Sequence, residues 1–256
     1  MRSAARRDTL LRLVRERGYI NVAEAARVME VDTSTIRRDL AYLRELGLVE
    51  RSHGGAIPIR DEAEVPITEK VGRQVAEKEA VARAVARMVP DGAAVILDSG
   101  STALMVARAL GEHRDLTVIT PDIRVANEIL AHEGIRLIVP GGELVPDTST
   151  VIGQEALDMI RRLHVDLAVM GADAVDAAGA TNLSSVVVPF KRAVLAAAQT
   201  AILAVDSSKI GTRRLIRVAT LDEFDHLVTD AGADNAEVAE YPVPVTLAPL
   251  SSEEDA

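Results

Sequence analysis

The chain contains no cysteine and no tryptophan, and aromatic residues make up only 2% of its 256 residues. The absence of cysteine excludes disulfides and thiolate metal sites. A core must therefore be built from Val, Leu, Ile and Ala, which is feasible because 48% of the residues are hydrophobic. No apolar run approaches the roughly 20 residues that cross a bilayer, and the N-terminus lacks the apolar stretch of a signal peptide. We expect a cytoplasmic protein without a membrane partner.

Histidine is also sparse, and its positions argue against a metal centre. The five histidines lie far apart in the sequence and show no metal-ligand spacing. We therefore expect no bound metal and no cofactor.

The net charge of −10 is unevenly distributed along the chain. Residues 1–60 contain 12 Arg, no Lys and 8 acidic residues, a balance of +4, whereas the remainder carries −14. A basic N-terminal part on an acidic body is the asymmetry expected when only one domain meets a polyanion.

The N-terminal part has the pattern of a winged helix-turn-helix. Residues 6–17 form an amphipathic pattern that predicts a helix, and a second short helix is predicted over 21–29. Asp32 is placed to cap a third helix over 33–46. The segment 48–57 (LVERSHGGAI) predicts a strand, a polar turn and a return strand.

Beyond this part, apolar β-branched segments alternate with amphipathic ones. Such alternation predicts a larger α/β domain with a mostly parallel sheet and helices on both faces. We predict a DNA-binding domain at 1–57, a linker at 58–73, a sensor domain at 74–240 and an extended or disordered tail at 241–256. The predicted strands are 93–97, 116–120, 135–139, 165–170 and 200–205. The predicted helices are 74–89, 102–110, 122–131, 153–163 and 189–198.

The third helix of the N-terminal part has the composition of a DNA-reading helix. With Ile36 buried, short hydroxyl and arginine side chains are left on its outer side, where hydroxyls bond phosphates and an arginine fork bonds guanine. Spacing alone leaves an ordinary helical surface as an equal alternative. The candidate DNA-binding residues, two of them on the wing, are Thr33, Ser34, Thr35, Arg37, Arg38, Arg51 and His53.

Small, hydroxyl-bearing or charged residues follow several predicted strands. Ligands in open α/β sheets bind at the carboxyl ends of strands, and small residues let backbone amides approach an anion. Each cluster alone is also explained as a turn or helix cap, but together they predict one site for a phosphate and several hydroxyls. The candidate effector-binding residues are Asp98, Gly100, Ser101, Thr102, Thr120, Gly141, Gly142, Asp173, Asp176, Lys191 and Lys209.

The N-terminal segment resembles the DNA-binding signature of the DeoR family of bacterial repressors. The matching pieces are TIRRDL at 35–40, the Leu-Gly pair at 46–47, and Arg51 followed by HGGA at 53–56. Asp32 stands where the family usually has serine, and because aspartate caps a helix equally well the fold is not in question.

The resemblance extends over residues 5 to about 231, and the family's sensor domain is similar to ribose-5-phosphate isomerases. GADAVD at 171–176 resembles the acidic loop of these isomerases, and 206–209 resembles their strand-end lysine motif. The resemblance implies that Ser101 and Thr102 hold a phosphate and that Lys209 faces the ligand's charge. It also implies that Asp98, Asp173 and Asp176 face sugar hydroxyls.

The segment TNLSSVVVPFKR departs from the isomerase pattern. It lacks the glycine run and the catalytic glutamate, and Val187 occupies a position where the repressors often keep a glutamate. Isomerisation needs a base that moves a proton between adjacent carbons. We therefore expect no enzyme but a repressor of carbohydrate-metabolism genes, controlled by a phosphorylated sugar or related metabolite.

Two other functions remain as alternatives: an active sugar-phosphate isomerase with an accessory DNA-binding domain, and an adaptor without a ligand. The expected partners are double-stranded operator DNA and a second copy of the chain. A homo-oligomer, either a dimer or a tetramer, is expected because such DNA readers bind repeated half-sites.

Overall fold

The computed structural model describes residues 6–7, 9–10, 13–14, 19–29, 31–45, 49–52, 55–58, 67–145 and 148–250. Only the backbone is described at residues 44–45, 49–52, 57–58 and 68. The chain divides into two compact units, Met1–Ala63 and Glu64–Ala256. None of the helices in the described part of the chain has the length and apolarity required to cross a membrane.

In its described part, the first unit has two helices with defined bounds, further helical residues before them and a small antiparallel sheet, as expected for a winged helix. The helices are α1 (Val22–Val28) and α2 (Thr33–Glu45), and the strands are β1 (Ile20–Asn21), β2 (Val49–Ser52) and β3 (Gly55–Pro58), in the order β1-β3-β2. The described residues between 6 and 14 are helical. Gly55 is required at its position because a Cβ there would overlap the carbonyl oxygen of Ile20.

Aliphatic side chains from every part of the first unit share one core. Leu10, Ile20, Ile36, Leu40 and Leu43 are buried in it. The spacing of the last three along α2 places them on one face of the helix, as the sequence predicts.

A closed ionic cluster lies beside this core. The side chain of Asp39 is 2% exposed and accepts hydrogen bonds from Arg6 Nε at 2.6 Å and Arg7 Nε at 2.9 Å. Arg7 also stacks on the ring of Tyr42. Burial raises the pKa of Asp39, but the bonds from the two arginines outweigh it and the pKa is lowered. Asp39 thus ties the N-terminal segment to α2.

The second unit is a sheet covered by helices on both faces. Its helices are α3 (Ile67–Gly72), α4 (Val75–Ala86), α5 (Ser101–Ala109), α6 (Ile123–Ile129), α7 (Gln154–Ile160), α8 (Val188–Ala197) and α9 (Asn235–Val238). Its strands are β4 (Ala94–Leu97), β5 (Thr117–Ile119), β6 (Arg136–Ile138), β7 (Glu143–Val145), β8 (Thr150–Ile152), β9 (Val165–Met170), β10 (Ala174–Asp176), β11 (Gly179–Asn182), β12 (Ala198–Ala204), β13 (Ile216–Ala219), β14 (His226–Asp230) and β15 (Val245–Ala248).

Seven strands form the central sheet in the order β15-β14-β12-β9-β4-β5-β6, and every pairing is parallel. The chain runs outward from β4 through β5 to β6 and then returns to place β9 on the other side of β4. The strand order therefore reverses between β4 and β9, and ligands bind at such a switch point. One apolar core lies under α4, α5 and α6, and a second lies under α7 and α8.

Two segments assigned to a linker and a tail have regular structure in this unit. Helix α3 lies within the predicted linker at 58–73, and β15 pairs with β14 within the predicted tail. Ile67 is buried and Val71 packs against the core, so this part of the predicted linker is anchored. A three-stranded antiparallel sheet (β10-β11-β13) and the β7-β8 hairpin are further elements that the sequence did not predict.

Candidate nucleic-acid interface and ligand site

Helix α2 presents the predicted DNA-reading side chains on its outer side. Arg37 and Arg38 are exposed, while Ile36 between them and Thr35 is fully buried. Ser34 is exposed, and Thr33 and Thr35 are half-buried. The first two turns of α2 thus combine hydroxyls with two exposed guanidinium groups, as a helix that enters a groove requires.

Asp32 caps the N-terminus of α2. The backbone N–H of Ser34 donates to its carboxylate at 2.6 Å. Hydrogen bonds from the side chain and backbone of Ser34, helped by the charges of Arg37 and Arg38, lower the pKa of Asp32. The amide of Ser34 is therefore already hydrogen-bonded within the protein.

The wing is described only in part. Arg51 lies in β2, paired with Ala56 of β3, but its side chain lies outside the described residues. His53 also lies outside them, as does the Leu-Gly pair at 46–47. Their roles in DNA binding stay predictions.

The loops after β4 and β9 meet at the switch point of the sheet. Asp98 follows β4 and Gly171 follows β9, and these strands are neighbours. The amide of Gly171 donates to Asp98 Oδ2 at 3.1 Å. Lys191 of α8 forms an ion pair with the same carboxylate and donates to the Gly171 carbonyl at 2.9 Å.

Asp98 and Lys191 thus form a buried ion pair that joins the ends of β4 and β9. Asp98 is 1% and Lys191 is 3% exposed. The two charges neutralise each other, and the pair holds the shape of the carboxyl ends of the neighbouring strands β4, β9 and β12, which we call the ligand edge. The prediction that Asp98 faces a sugar hydroxyl stays untested, but its Oδ2 is already committed to the protein.

Two hydroxyl side chains lie at the start of α5, which begins three residues after Asp98. Ser101 and Thr102 occupy the first turn of the helix, and no hydrogen-bond partner for either hydroxyl is found among the described residues. The amide of Gly100 donates to Asp122 Oδ2 at 3.1 Å, and Asp122 in turn pairs with Arg124. Ser101 is 8% exposed and Thr102 is half-buried, and neither hydroxyl has a visible partner in the described part of the chain, whereas the Gly100 amide is already hydrogen-bonded.

The acidic loop separates its two aspartates, which the sequence grouped together. Asp173 precedes β10 and Asp176 ends it, three residues later, so the two lie on opposite sides of an extended segment. Asp173 pairs with Lys70, while Asp176 pairs with Arg213 at 2.6 Å. The two carboxylates therefore do not form one site by themselves.

Asp173 is held as an anion by its surroundings. Burial raises its pKa, but the charge of Lys70 and a hydrogen bond from the Leu183 amide outweigh burial, so the pKa is lowered. Oδ2 accepts from Asn182 Nδ2 at 2.9 Å and from the Leu183 amide at 3.0 Å. A carboxylate in this state is a weak base.

Two of the predicted ligand residues, Thr120 and Gly142, have structural roles. Thr120 is buried, and its Oγ1 accepts from the Asp122 amide at 3.2 Å. Gly142 has φ of +147°, and a Cβ there would overlap the carbonyl oxygen of Ile152 in the hairpin. Gly141 is exposed beside it. Turn geometry and strand pairing account for Thr120 and Gly142 without a ligand.

The structure places two further lysines at the ligand edge that the sequence did not single out. Lys70 Nζ lies 3.1 Å from Asp173 Oδ1. Lys78 is 3% exposed and donates to the carbonyls of Lys70, at 2.6 Å, and Arg73. Burial lowers the pKa of Lys78, while the charge of Asp206 opposes this shift and that of Lys209 adds to it.

Two signals in the sequence could have revealed these residues. Lys78 lies three residues before Val81 and four before Ala82, on the apolar face of a predicted helix. Lysine is also rare in this chain, which has four lysines against 25 arginines. All four lie at or next to the ligand edge, and no carboxylate within ion-pair distance of Lys78 or Lys209 is found in the described part of the chain.

Comparisons with known families match both units. Residues 6–62 match the DeoR-like helix-turn-helix domain. Residues 73–231 match the DeoR C terminal sensor domain.

Several relatives align over most of the chain. The glycerol-3-phosphate regulon repressor of Escherichia coli K12 is 33% identical over 232 residues, which cover 90% of this chain and 92% of that protein. The HTH-type transcriptional repressor CsqR of the same strain is 34% identical and covers 88% and 87% of the two chains. A putative aga operon transcriptional repressor of E. coli O157:H7 is 30% identical and covers 92% and 90%.

Among solved structures, the ribose 5-phosphate isomerase A of Methanocaldococcus jannaschii is similar with a TM-score of 0.38 and 25% identity. The similarity covers 52% of this chain and 53% of that one.

Proposed function

Because this chain belongs to the DeoR family of transcription regulators, we propose that it represses carbohydrate-metabolism genes under the control of a phosphorylated sugar or related metabolite. Three relatives that align over most of its length are named as repressors, one of them as a putative repressor, and one is named for a glycerol-3-phosphate regulon. The two units then have separate tasks, one on DNA and one on the effector.

The observation that carries the DNA-binding part is the exposure of Arg37 and Arg38 on a helix whose opposite face is buried. Arginine forks bond the O6 and N7 atoms of guanine in the major groove. Thr33 and Thr35 in the same turns add hydroxyls for phosphate contacts. The wing residues Arg51 and His53 complete the proposed interface by resemblance.

The observation that supports the sensing part is a pair of hydroxyls without a hydrogen-bond partner and a pair of ammonium groups without an ion-pair partner among the described residues; one of these ammonium groups, that of Lys78, donates to two backbone carbonyls. Ser101 and Thr102 offer hydroxyls, and Lys78 and Lys209 offer ammonium groups without an ion-pair partner among the described residues. Cations together with hydroxyls at a helix start are the usual donors to a phosphate. A phosphate monoester fits this chemistry better than an uncharged sugar.

The same geometry argues against catalysis. A general base for isomerisation works best with a pKa near the working pH. Asp173 has a lowered pKa and three donors, and Asp176 is paired with Arg213. We therefore propose that the chain binds its effector without converting it.

A homo-oligomer, either a dimer or a tetramer, follows from the proposed DNA-binding mode, because helix-turn-helix readers bind repeated half-sites. We place the protein in the cytoplasm, where a bacterial regulator meets both DNA and metabolites.

Two experiments test the proposal. Selection of random DNA duplexes on the full-length protein should enrich a sequence with repeated half-sites, and failure to enrich any sequence would contradict the DNA-binding part. A thermal-shift panel should then compare phosphorylated sugars with their unphosphorylated forms. A binder at 100 times its Kd should add about 2.7 kcal/mol. Equal shifts from a sugar phosphate and its free sugar would contradict the sensing part.

A further inference from the structure

Helix α3 connects the ligand edge to the part of the chain that leads toward the DNA-binding unit. In chain order it is the first element described in the second unit. Ile67 and Val71 attach one face of it to the core. Lys70 pairs with Asp173, and Lys78 donates to the carbonyls of Lys70 in the helix and of Arg73 just after it. Two of these contacts are made by lysines at the ligand edge, Lys70 and Lys78.

The donors and acceptors around Asp173 leave room for a second partner on Lys70. Asp173 Oδ2 already accepts two hydrogen bonds, and Oδ1 faces Lys70 Nζ at 3.1 Å. An ammonium group has three protons. No second acceptor for Lys70 is found among the described residues, and its side chain is 23% exposed. Lys70 can therefore hold Asp173 and a bound anion together.

The choice of lysine at this position supports a shared contact. Elsewhere in this unit exposed carboxylates pair with arginine, as in Arg73–Glu69 and Arg192–Glu223. A guanidinium fork matches one planar carboxylate, whereas a compact ammonium with rotatable donors can serve acceptors in different directions.

We propose that Lys70 is an effector-binding residue whose ammonium bridges Asp173 and the anionic group of the effector. Occupancy of the site then stabilises helix α3, the first described element of the second unit. The inference rests on the proposed function, since it requires an anionic effector at the β4–β9 switch point.

Hydrogen exchange in the full-length protein tests the proposal, with inorganic phosphate as the probe and chloride of matched ionic strength as the reference. In wild type, phosphate should slow exchange both at residues 99–102 and at residues 67–73. In Lys70→Met, phosphate should bind about tenfold more weakly, the effect of one charge-assisted hydrogen bond. Bound phosphate should then leave the exchange rates at residues 67–73 unchanged, even at saturation.

Arg73→Met is the matched control, because it removes a cation from the same segment without touching Asp173. It should respond to phosphate as wild type does. Lys70→Arg keeps the charge and should lose less affinity than Lys70→Met.

Three results would overturn the proposal. Protection at 99–102 without protection at 67–73 in wild type would reject the role of α3 and leave the proposed function intact. A Lys70→Met protein that responds as wild type does would reject Lys70. No protection at 99–102 at the highest phosphate concentration used would reject the anion site and, with it, the sensing part of the proposed function. The wild-type comparison alone tests whether phosphate slows exchange in helix α3. The proposal can therefore be rejected even if a variant fails to fold.

Discussion

The two units differ in the cations they contain: lysine is confined to the second unit, which also has 13 arginines. Residues 1–60 contain arginine and no lysine, whereas the four lysines of the chain lie at or next to the ligand edge of the second unit. Arginine supplies a planar fork for base edges and phosphates, and lysine supplies a compact charge that fits a buried site. The comparison indicates which cations are part of the architecture and which are open to a partner.

Within each unit some cations are satisfied and others are not. Arg6 and Arg7 are bound to buried Asp39, while Arg37 and Arg38 are exposed on α2. In the second unit Lys191 is bound to Asp98, while Lys209 has no ion-pair partner in the described part of the chain. Substitution of a satisfied cation should therefore lower stability, and substitution of an open one should lower binding.

Loss of the buried Asp98–Lys191 ion pair should have the largest effect on stability. Lys191→Met leaves Asp98 charged and buried without a partner, which should lower the free energy of unfolding of the second unit by about 3–5 kcal/mol. Urea unfolding with hydrogen exchange at β4 and β9 measures this loss. The neighbouring Arg192→Met breaks an exposed pair and should cost about 0–1 kcal/mol. Equal losses in the two variants would show that the buried ion pair stabilises the unit no more than the exposed one does.

The Asp39 cluster should make the first unit sensitive to acid. Because folding lowers the pKa of Asp39, the unfolded chain binds this proton more tightly. The stabilisation is present above about pH 4 and is lost as the pH falls through the lowered folded value. Asp39→Asn should cost about 1.5–3 kcal/mol at neutral pH. Hydrogen exchange at residues 33–43 between pH 7 and 3 should show a weaker acid dependence in the variant; identical profiles would contradict the assignment.

Removal of an exposed arginine from α2 should weaken operator binding without loss of fold. Arg37→Ala or Arg38→Ala should cost about 1–3 kcal/mol for a base contact. Loss of a phosphate contact should instead lower the salt slope by about one. Arg217→Ala, an exposed arginine of the second unit, is the control. Wild-type affinity and salt slope in the double variant would show that α2 is not the recognition helix.

Turnover should be absent in the wild type. Incubation with ribose 5-phosphate and related aldose phosphates should match the blank without enzyme, because the aspartates near the site are paired and the glutamate position holds Val187. Sustained turnover that disappears in Asp173→Asn would contradict this expectation.

The sequence predicted five of the seven strands of the central sheet but not β14 or β15. The segment VDLAVM was predicted as a strand over 165–170, and β9 has the same bounds. Helix α8 lies within one residue of its predicted ends at 189–198. The DeoR family assignment was also confirmed. Apolar runs and apolar periodicity identify such strands and helices from neighbouring residues alone.

The missed elements depend on distant partners. GADAVDAAGAT is rich in Gly, Ala and Asp, which have low β-propensity, and its strands form because β11 pairs with β13 some 35 residues later. Helix α3 is too short for a periodic signal and is held by Asp173, about 100 residues away. For the same reason the sequence could group the candidate site residues but could not show which were already paired.

Effector titration on operator-bound Lys209→Ala tests most directly the claim that open cations bind partners and that the two units have separate tasks. We expect unliganded operator affinity within about twofold of wild type, because the substitution lies outside the DNA-binding unit. The effector midpoint should rise roughly tenfold to a hundredfold, as expected for one lost charge-assisted hydrogen bond. An unchanged midpoint would remove Lys209 from the site and contradict the account.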